Sequence, residues 1–202
     1  MIELSVNHPS ISREVIMGYI QHMIRILRFD EAVYREVIAH DKLSLAYTAI
    51  NVGTFGLIYG FSAVYFSRYL LEPGTSETLP FHVRMTLVLM GVSVAFLIHG
   101  GMALFAWVFC RGFGGSTLFL PIYLALGMSW ISFWPLAPAL AALQVKVTGG
   151  LYIPLLGAAS FLALAVVFHA LKSASGLSAS RMLLVLVVII IYIGSFMYLW
   201  VG

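Results

Sequence analysis

The sequence predicts an all-α, polytopic membrane protein in which five transmembrane helices follow an N-terminal segment of amphipathic helices. Three observations carry this expectation. The chain is 61% hydrophobic and 9% charged, with a mean hydropathy of +1.00, whereas about a quarter of the residues of a soluble domain are charged. No Asp or Glu follows Glu77. Beyond that point only Arg84, Arg111, Lys146, Lys172 and Arg181 interrupt apolar runs of about 20 residues, the length that crosses a bilayer as a helix with its backbone N–H and C=O groups paired internally.

Residues 1–42 hold most of the acidic residues and are expected to form a cytoplasmic amphipathic segment, separate from a five-helix transmembrane domain over 43–202. Val15, Ile16, Tyr19, Ile20, Met23, Ile24 and Leu27 recur at helical spacing, opposite Arg13, Glu14, Gln21, Arg25 and Arg28. Ser10 or Ser12 is expected to cap this helix. Asp30 is expected to cap a second, shorter one through Glu31, Val33, Tyr34, Val37 and Ile38. Both are expected along the membrane surface, where they either cover the end of the bundle or offer a docking face to a soluble partner.

The five expected spans are 43–66, 85–110, 118–143, 151–171 and 182–201, joined by short connections that leave no room for a further domain. A cytoplasmic N-terminus places Arg13, Arg25, Arg28, Arg35, Lys42, Arg111, Lys172 and Arg181 inside, against Arg68, Arg84 and Lys146 outside. This bias favours N-inside and C-outside, as an odd number of spans requires. No short apolar stretch in the first 42 residues is followed by a cleavage site, so the first span is expected to direct insertion.

In the first span, Gly53, Gly56 and Gly60 share a helix face and include a GxxxG, which predicts close helix contact, with Gly157, Ala158 and Ser160 of the fourth span as a matching surface. The contact serves either packing inside the bundle or homo-oligomerisation. The third span carries Pro121, Trp130, Trp134, Pro135 and Pro138, and is expected to be kinked or broken, either as a bent packing helix or around a lipid or substrate cavity.

Polar groups at bilayer depth are costly, and each is a candidate for function. They are Asn51, Ser93, His99, Ser129, Ser132, Ser160, His169 and Ser195. Asn51, His99, Ser129, Ser132, Pro135 and His169 form the candidate intramembrane polar site. His99, about halfway along its span, needs a partner, for which Asn51, a serine or a backbone carbonyl is available. It is read as a structural histidine, with proton handling as the rival.

Several chemistries are excluded or disfavoured. Cys110 is the only cysteine, so no intramolecular disulfide forms, and no Cys/His spacing points to a metal. No cofactor is expected. Haem ligation by His99 and His169 is disfavoured because His99 lies 11 residues before Cys110 at the cytoplasmic end and His169 three before Lys172, an offset of roughly 12 Å along parallel helices. The bases are scattered among the spans, which disfavours nucleic acid. No GxGxxG, Walker loop, HExxH or GxSxG occurs, and Gly112, Gly114 and Gly115 look like a tight turn.

Four segments together carry a family resemblance: Phe29-Asp-Glu-Ala-Val-Tyr-Arg-Glu-Val-Ile-Ala-His-Asp41 before the first span, Gly112-Phe-Gly-Gly115, Ser132-Phe-Trp-Pro135 in the third span, and His169-Ala-Leu-Lys-Ser-Ala-Ser-Gly-Leu-Ser178 before the last helix. With these the chain resembles the bacterial branch of the Yip family, five-span membrane proteins named for interaction with Ypt/Rab GTPases. The resemblance covers roughly residues 25–200. It implies a five-helix bundle with a cytoplasmic N-terminus, acting by interaction, and in the eukaryotic branch a partner of Rab GTPases in vesicle traffic. The short stretch before the first span fits a bacterial inner membrane. The expected function is therefore that of a non-enzymatic scaffold, interaction partner or accessory subunit, in contact with membrane lipids and with other membrane subunits or copies of itself. The alternative is a transporter or channel for a small solute or lipid, built on the broken third span and His99.

Overall fold

The structure, a computed structural model, describes residues 10–70, 79–146 and 152–201. Residues 1–9, the connections through 71–78 and 147–150, and the expected span start at Leu151 lie outside the described residues, as do the side chains of Ser10, Ser12, Val15 and Ile16. Apart from short turns and connections the described chain is helical, with no strand among the described residues. Its helices are α1 (Ser10–Leu27), α2 (Glu31–Ile38), α3 (Asp41–Phe66), α4 (Phe81–Gly112), α5 (Phe119–Ser129), α6 (Leu136–Gln144), α7 (Tyr152–Ser175) and α8 (Ala179–Val201), with 3-10 turns at Ser67–Leu70 and Trp130–Phe133.

Among the described residues three helices are long and apolar enough to cross a membrane: Lys42–Phe66, Phe81–Gly112 and Ile153–Ser175. A fourth crossing exists if Phe119–Phe133 and Leu136–Gln144, bent by 73°, are one span. The fifth expected span falls on α8, a helix of 23 residues in which Ala179–Ser195 is a described apolar stretch. Phe61, Leu97, Phe161 and Ile191, from four different helices, all face outward with more than 60% of their surface exposed. Large apolar side chains on the outside of long helices suit a hydrocarbon solvent, and the chain is a multi-pass membrane protein.

Helix ends are set locally. Asp30 caps α2 by accepting from Ala32 N–H at 2.9 Å. Just before it, Phe29 adopts a left-handed φ of 62°, while Asp30 N–H reaches Arg25 O at 3.1 Å and Phe29 N–H reaches Ile26 O at 3.0 Å. This is a Schellman stop, a place glycine usually takes, and a phenylalanine there costs about 1–2 kcal/mol. Gly114, at φ 86°, closes α4 in the same way, with Gly115 N–H on Cys110 O at 2.8 Å. The tight turn expected at Gly112–Gly115 is thus a helix stop.

α3 and α4 form an antiparallel pair whose backbones meet at glycines. A Cβ added at Gly56 would lie 2.5 Å from Val92 Cα, one at Gly60 2.6 Å from Val88 Cα, and one at Gly91 2.7 Å from Gly56 O. The matching surface is therefore α4, not the Gly157, Ala158 and Ser160 face of the fourth span. Gly53 and Gly157 have nothing within 4 Å of an added Cβ. The reason is connectivity: consecutive antiparallel helices are the nearest available partners, and α4 brings its own glycine, Gly91, to the crossing.

α1 and α2 fold over the end of the bundle where α3 begins and α7 ends. Met23, Ile26, Val33, Tyr34 and Val37 join Tyr47, Ala125, Met128, Val166 and Ala170 in one buried cluster. A larger cluster, with Met102, Ile122, Leu171, Met182 and Ile189, joins α4, α5, α7 and α8.

Candidate functional site

The broken span owes its bend to one proline. Pro121 and Pro138 stand in the first turns of α5 and α6, where the missing N–H has no helical partner to lose. Pro135 stands before α6, and its missing N–H releases the Ile131 carbonyl, which accepts from Trp134 N–H at 3.3 Å. Ser129 and Ser132 donate to Leu126 O and Ser129 O, both at 2.7 Å. These serines close local backbone acceptors rather than pointing at a ligand.

Asn51 joins α3 to both sides of the break. Its side chain is fully buried. Asn51 Nδ2 donates to the Met128 carbonyl at 3.0 Å, and Trp134 Nε1 donates to the Asn51 carbonyl at 3.0 Å. Asn51 Oδ1 accepts from the Tyr19 hydroxyl of α1 at 2.6 Å, and Nδ2 also lies 3.4 Å from Met23 Sδ. Burial, then the neighbouring Tyr47, pushes the Tyr19 phenol up to about 12, so it is a neutral donor. One carboxamide thus links the N-terminal helix, the first span and the break.

His99 contrasts with this. It is fully buried, yet neither ring nitrogen has a hydrogen-bond partner among the described residues, and the same holds for Trp130 Nε1. The imidazole packs against Tyr123 at 4.4 Å between ring centroids and against Trp130 at 5.8 Å. The expected partner Asn51 is committed to Tyr19 and Met128, and Ser129 and Ser132 to their own backbone. Beside Trp130 lies an apolar cavity of about 60 Å³ between Phe55, Met102, Phe133, Leu140 and Tyr192. A larger one, of about 250 Å³, is lined by Phe133, Leu136, Ser160, Ala163, Ile190 and Gly194.

His169 does not join this group. It sits at the end of α7, where its Nδ1 lies 2.9 Å from Glu31 Oε1 and Lys172 Nζ donates to the same oxygen at 2.8 Å. Ser173 Oγ donates to the Glu31 carbonyl at 3.0 Å, and the Phe29 ring lies 5.4 Å from the His169 ring. Lys172, and then His169, hold the Glu31 carboxyl below the ordinary glutamate range. The last turn of α7 therefore grips the start of α2. The same end carries two further ties: Ser116 N–H reaches Ser175 O at 2.9 Å, and Arg181 Nη1 reaches Phe113 O at 3.0 Å.

A second charged group lies outside the bundle. Arg25 bonds Asp30 Oδ2 at 2.8 Å and Glu36 Oε2 at 2.7 Å, and His22 Nδ1 lies 3.2 Å from the Tyr47 hydroxyl. Among the described residues no group of three His, Cys, Asp or Glu is placed to hold a metal ion.

Sequence reasoning missed the anchoring roles of Glu31, Tyr19 and Gly91. A signal for Glu31 existed, since His169 stands only three residues before Lys172 and so at a span end, within reach of a carboxylate at the start of a helix. Nothing in the spacing singles out Gly91. No protein-family model, curated protein or solved structure matches the chain.

Proposed function

We propose that the protein is a non-enzymatic, five-span membrane protein of Yip type, acting as a scaffold or accessory subunit that holds partners through the end where α2 meets α7. The reading rests on one observation above all. Glu31 is held by His169, Lys172 and Ser173, so the segment Phe29–Asp41 and the segment His169–Ser178, both quoted for the Yip resemblance, touch each other. Next to Gly112–Gly115, Ser116 N–H reaches Ser175 O of the second segment. A fixed end built from separate parts of the chain, with Glu36, Arg28 and Arg35 exposed, suits recognition by contact.

The five-span architecture is supported by the length of α8, whose 23 residues extend about 34 Å at 1.5 Å per residue, enough for a hydrocarbon core of about 30 Å. The charge bias supports a cytoplasmic N-terminus and, with the resemblance, a bacterial inner membrane. Extraction from the native membrane in mild detergent, followed by mass spectrometry of what co-migrates without denaturation, tests the function. Stoichiometric partners that are lost on Glu31→Lys are expected. A lone monomer or homo-oligomer counts against the subunit role.

A second reading, transport of a small solute or lipid, is favoured by His99, whose buried nitrogens, beside the broken span, have no partner among the described residues. Flux in reconstituted vesicles that survives His99→Ala unchanged removes the histidine from that reading.

A further inference from the structure

We infer that α1 is embedded in one leaflet of the bilayer, with Ile20 and Ile24 among the lipid chains, and is not a helix resting on the bundle in water. The inference goes beyond the scaffold reading and stands or falls separately from it. It rests on depth and on the three faces of α1.

The depth is fixed by α3. Lys42 is the last exposed charge before a long stretch of α3, and from Leu45 to Tyr65 every exposed residue of that helix is apolar. Leu45 is 46% exposed and Ile50 47%, so hydrocarbon begins near Leu45 on that side. α1 meets α3 inside this stretch, through Tyr19 and Met23 at Asn51 and His22 at Tyr47. Tyr47 and Asn51 lie five and nine residues beyond Lys42, which is about 7 and 14 Å along the axis. Interfacial helices bury their apolar face roughly 5–10 Å into the headgroup and acyl boundary.

The faces agree with that depth. At 100° per residue, Tyr19, His22, Met23 and Ile26 form the flank turned to the bundle, with Met23 and Ile26 buried. Gln21, Arg25 and Arg28 lie on the opposite side. Between them is a third flank of Ile20, Ile24 and Leu27; Leu27 packs against the buried cluster, while Ile20 is 47% and Ile24 45% exposed. A helix seated in water on its own protein needs one apolar flank. α1 has a second, with Ile20 and Ile24 exposed on it, and its polar flank carries Arg28, exposed and able to meet lipid phosphates. The occupant that matches is the leaflet itself.

The test uses the full chain in vesicles, with Cys110→Ser as background and a small fluorophore on Ile24→Cys, Ile20→Cys or Arg28→Cys. Phosphatidylcholine brominated on its acyl chains and aqueous iodide are the two quenchers. Labels at positions 20 and 24 are expected to lose roughly half or more of their fluorescence to the bromines and little to iodide, with the reverse at 28. Equal access of iodide to 24 and 28 overturns the inference, as does equal bromine quenching at both. Two positions on the apolar flank, with thermal unfolding recorded for each, separate a shifted helix from a misfolded variant.

Discussion

The Asn51 carboxamide is buried with both of its ends paired, while the buried His99 imidazole has neither nitrogen paired among the described residues. The two make opposite predictions. Asn51→Leu strands the Tyr19 hydroxyl and the Met128 carbonyl, and is expected to cost about 1–3 kcal/mol in detergent unfolding. Adding Tyr19→Phe to it is expected to cost little more, because that hydroxyl has already lost its partner; full additivity would show that the bond carries no energy. His99→Leu removes two unpaired polar atoms and is expected to be neutral or stabilising. A loss above about 1 kcal/mol would reveal a partner for the imidazole.

Among elements, the α3–α4 crossing and the α2–α7 grip carry the most specific claims. Gly56→Leu must push Val92 backbone away, and is expected to lower the thermal midpoint and disturb the bundle, whereas the exposed Gly157→Leu should stay within about 0.5 kcal/mol of the parent. Equal effects at both would contradict the packing described. The grip has a pH signature. Glu31 is held below its ordinary range, so its contribution is complete above the unfolded carboxyl value and is lost as pH falls through the lowered one. Asp30 and Glu36 are shifted in the same direction by Arg25, so the useful comparison is with Glu31→Gln. The parent should lose more stability than this variant on acidification through the carboxylate range, and parallel curves would sink the claim.

These elements also mark how far the sequence could be read. Apolar run length located α3, α4 and α7 because a bilayer imposes that length on any spanning helix. Asp30 was legible as a cap and the prolines of the third span as a break because each acts on backbone within a few residues of itself. The partners were not legible. Which helix faces Gly56, which side chain takes Asn51 and where His169 points all depend on helix rotation, which nearly uniform apolarity leaves unmarked. His169 was grouped with His99 by residue type, and its place at a helix end gave it a carboxylate instead.

For the whole molecule, the proposal depends on α8 crossing the membrane, since that sets an odd number of spans and puts the two ends on opposite sides. It also sets the face presented by the α2–α7 end. The most direct measurement is protease access to tags fused before Met1 and after Gly202 in sealed membrane vesicles of known orientation. The account predicts that the N-terminal tag is cleaved only from the cytoplasmic face and the C-terminal tag only from the other. Cleavage of both tags from one face would contradict the five-span bundle.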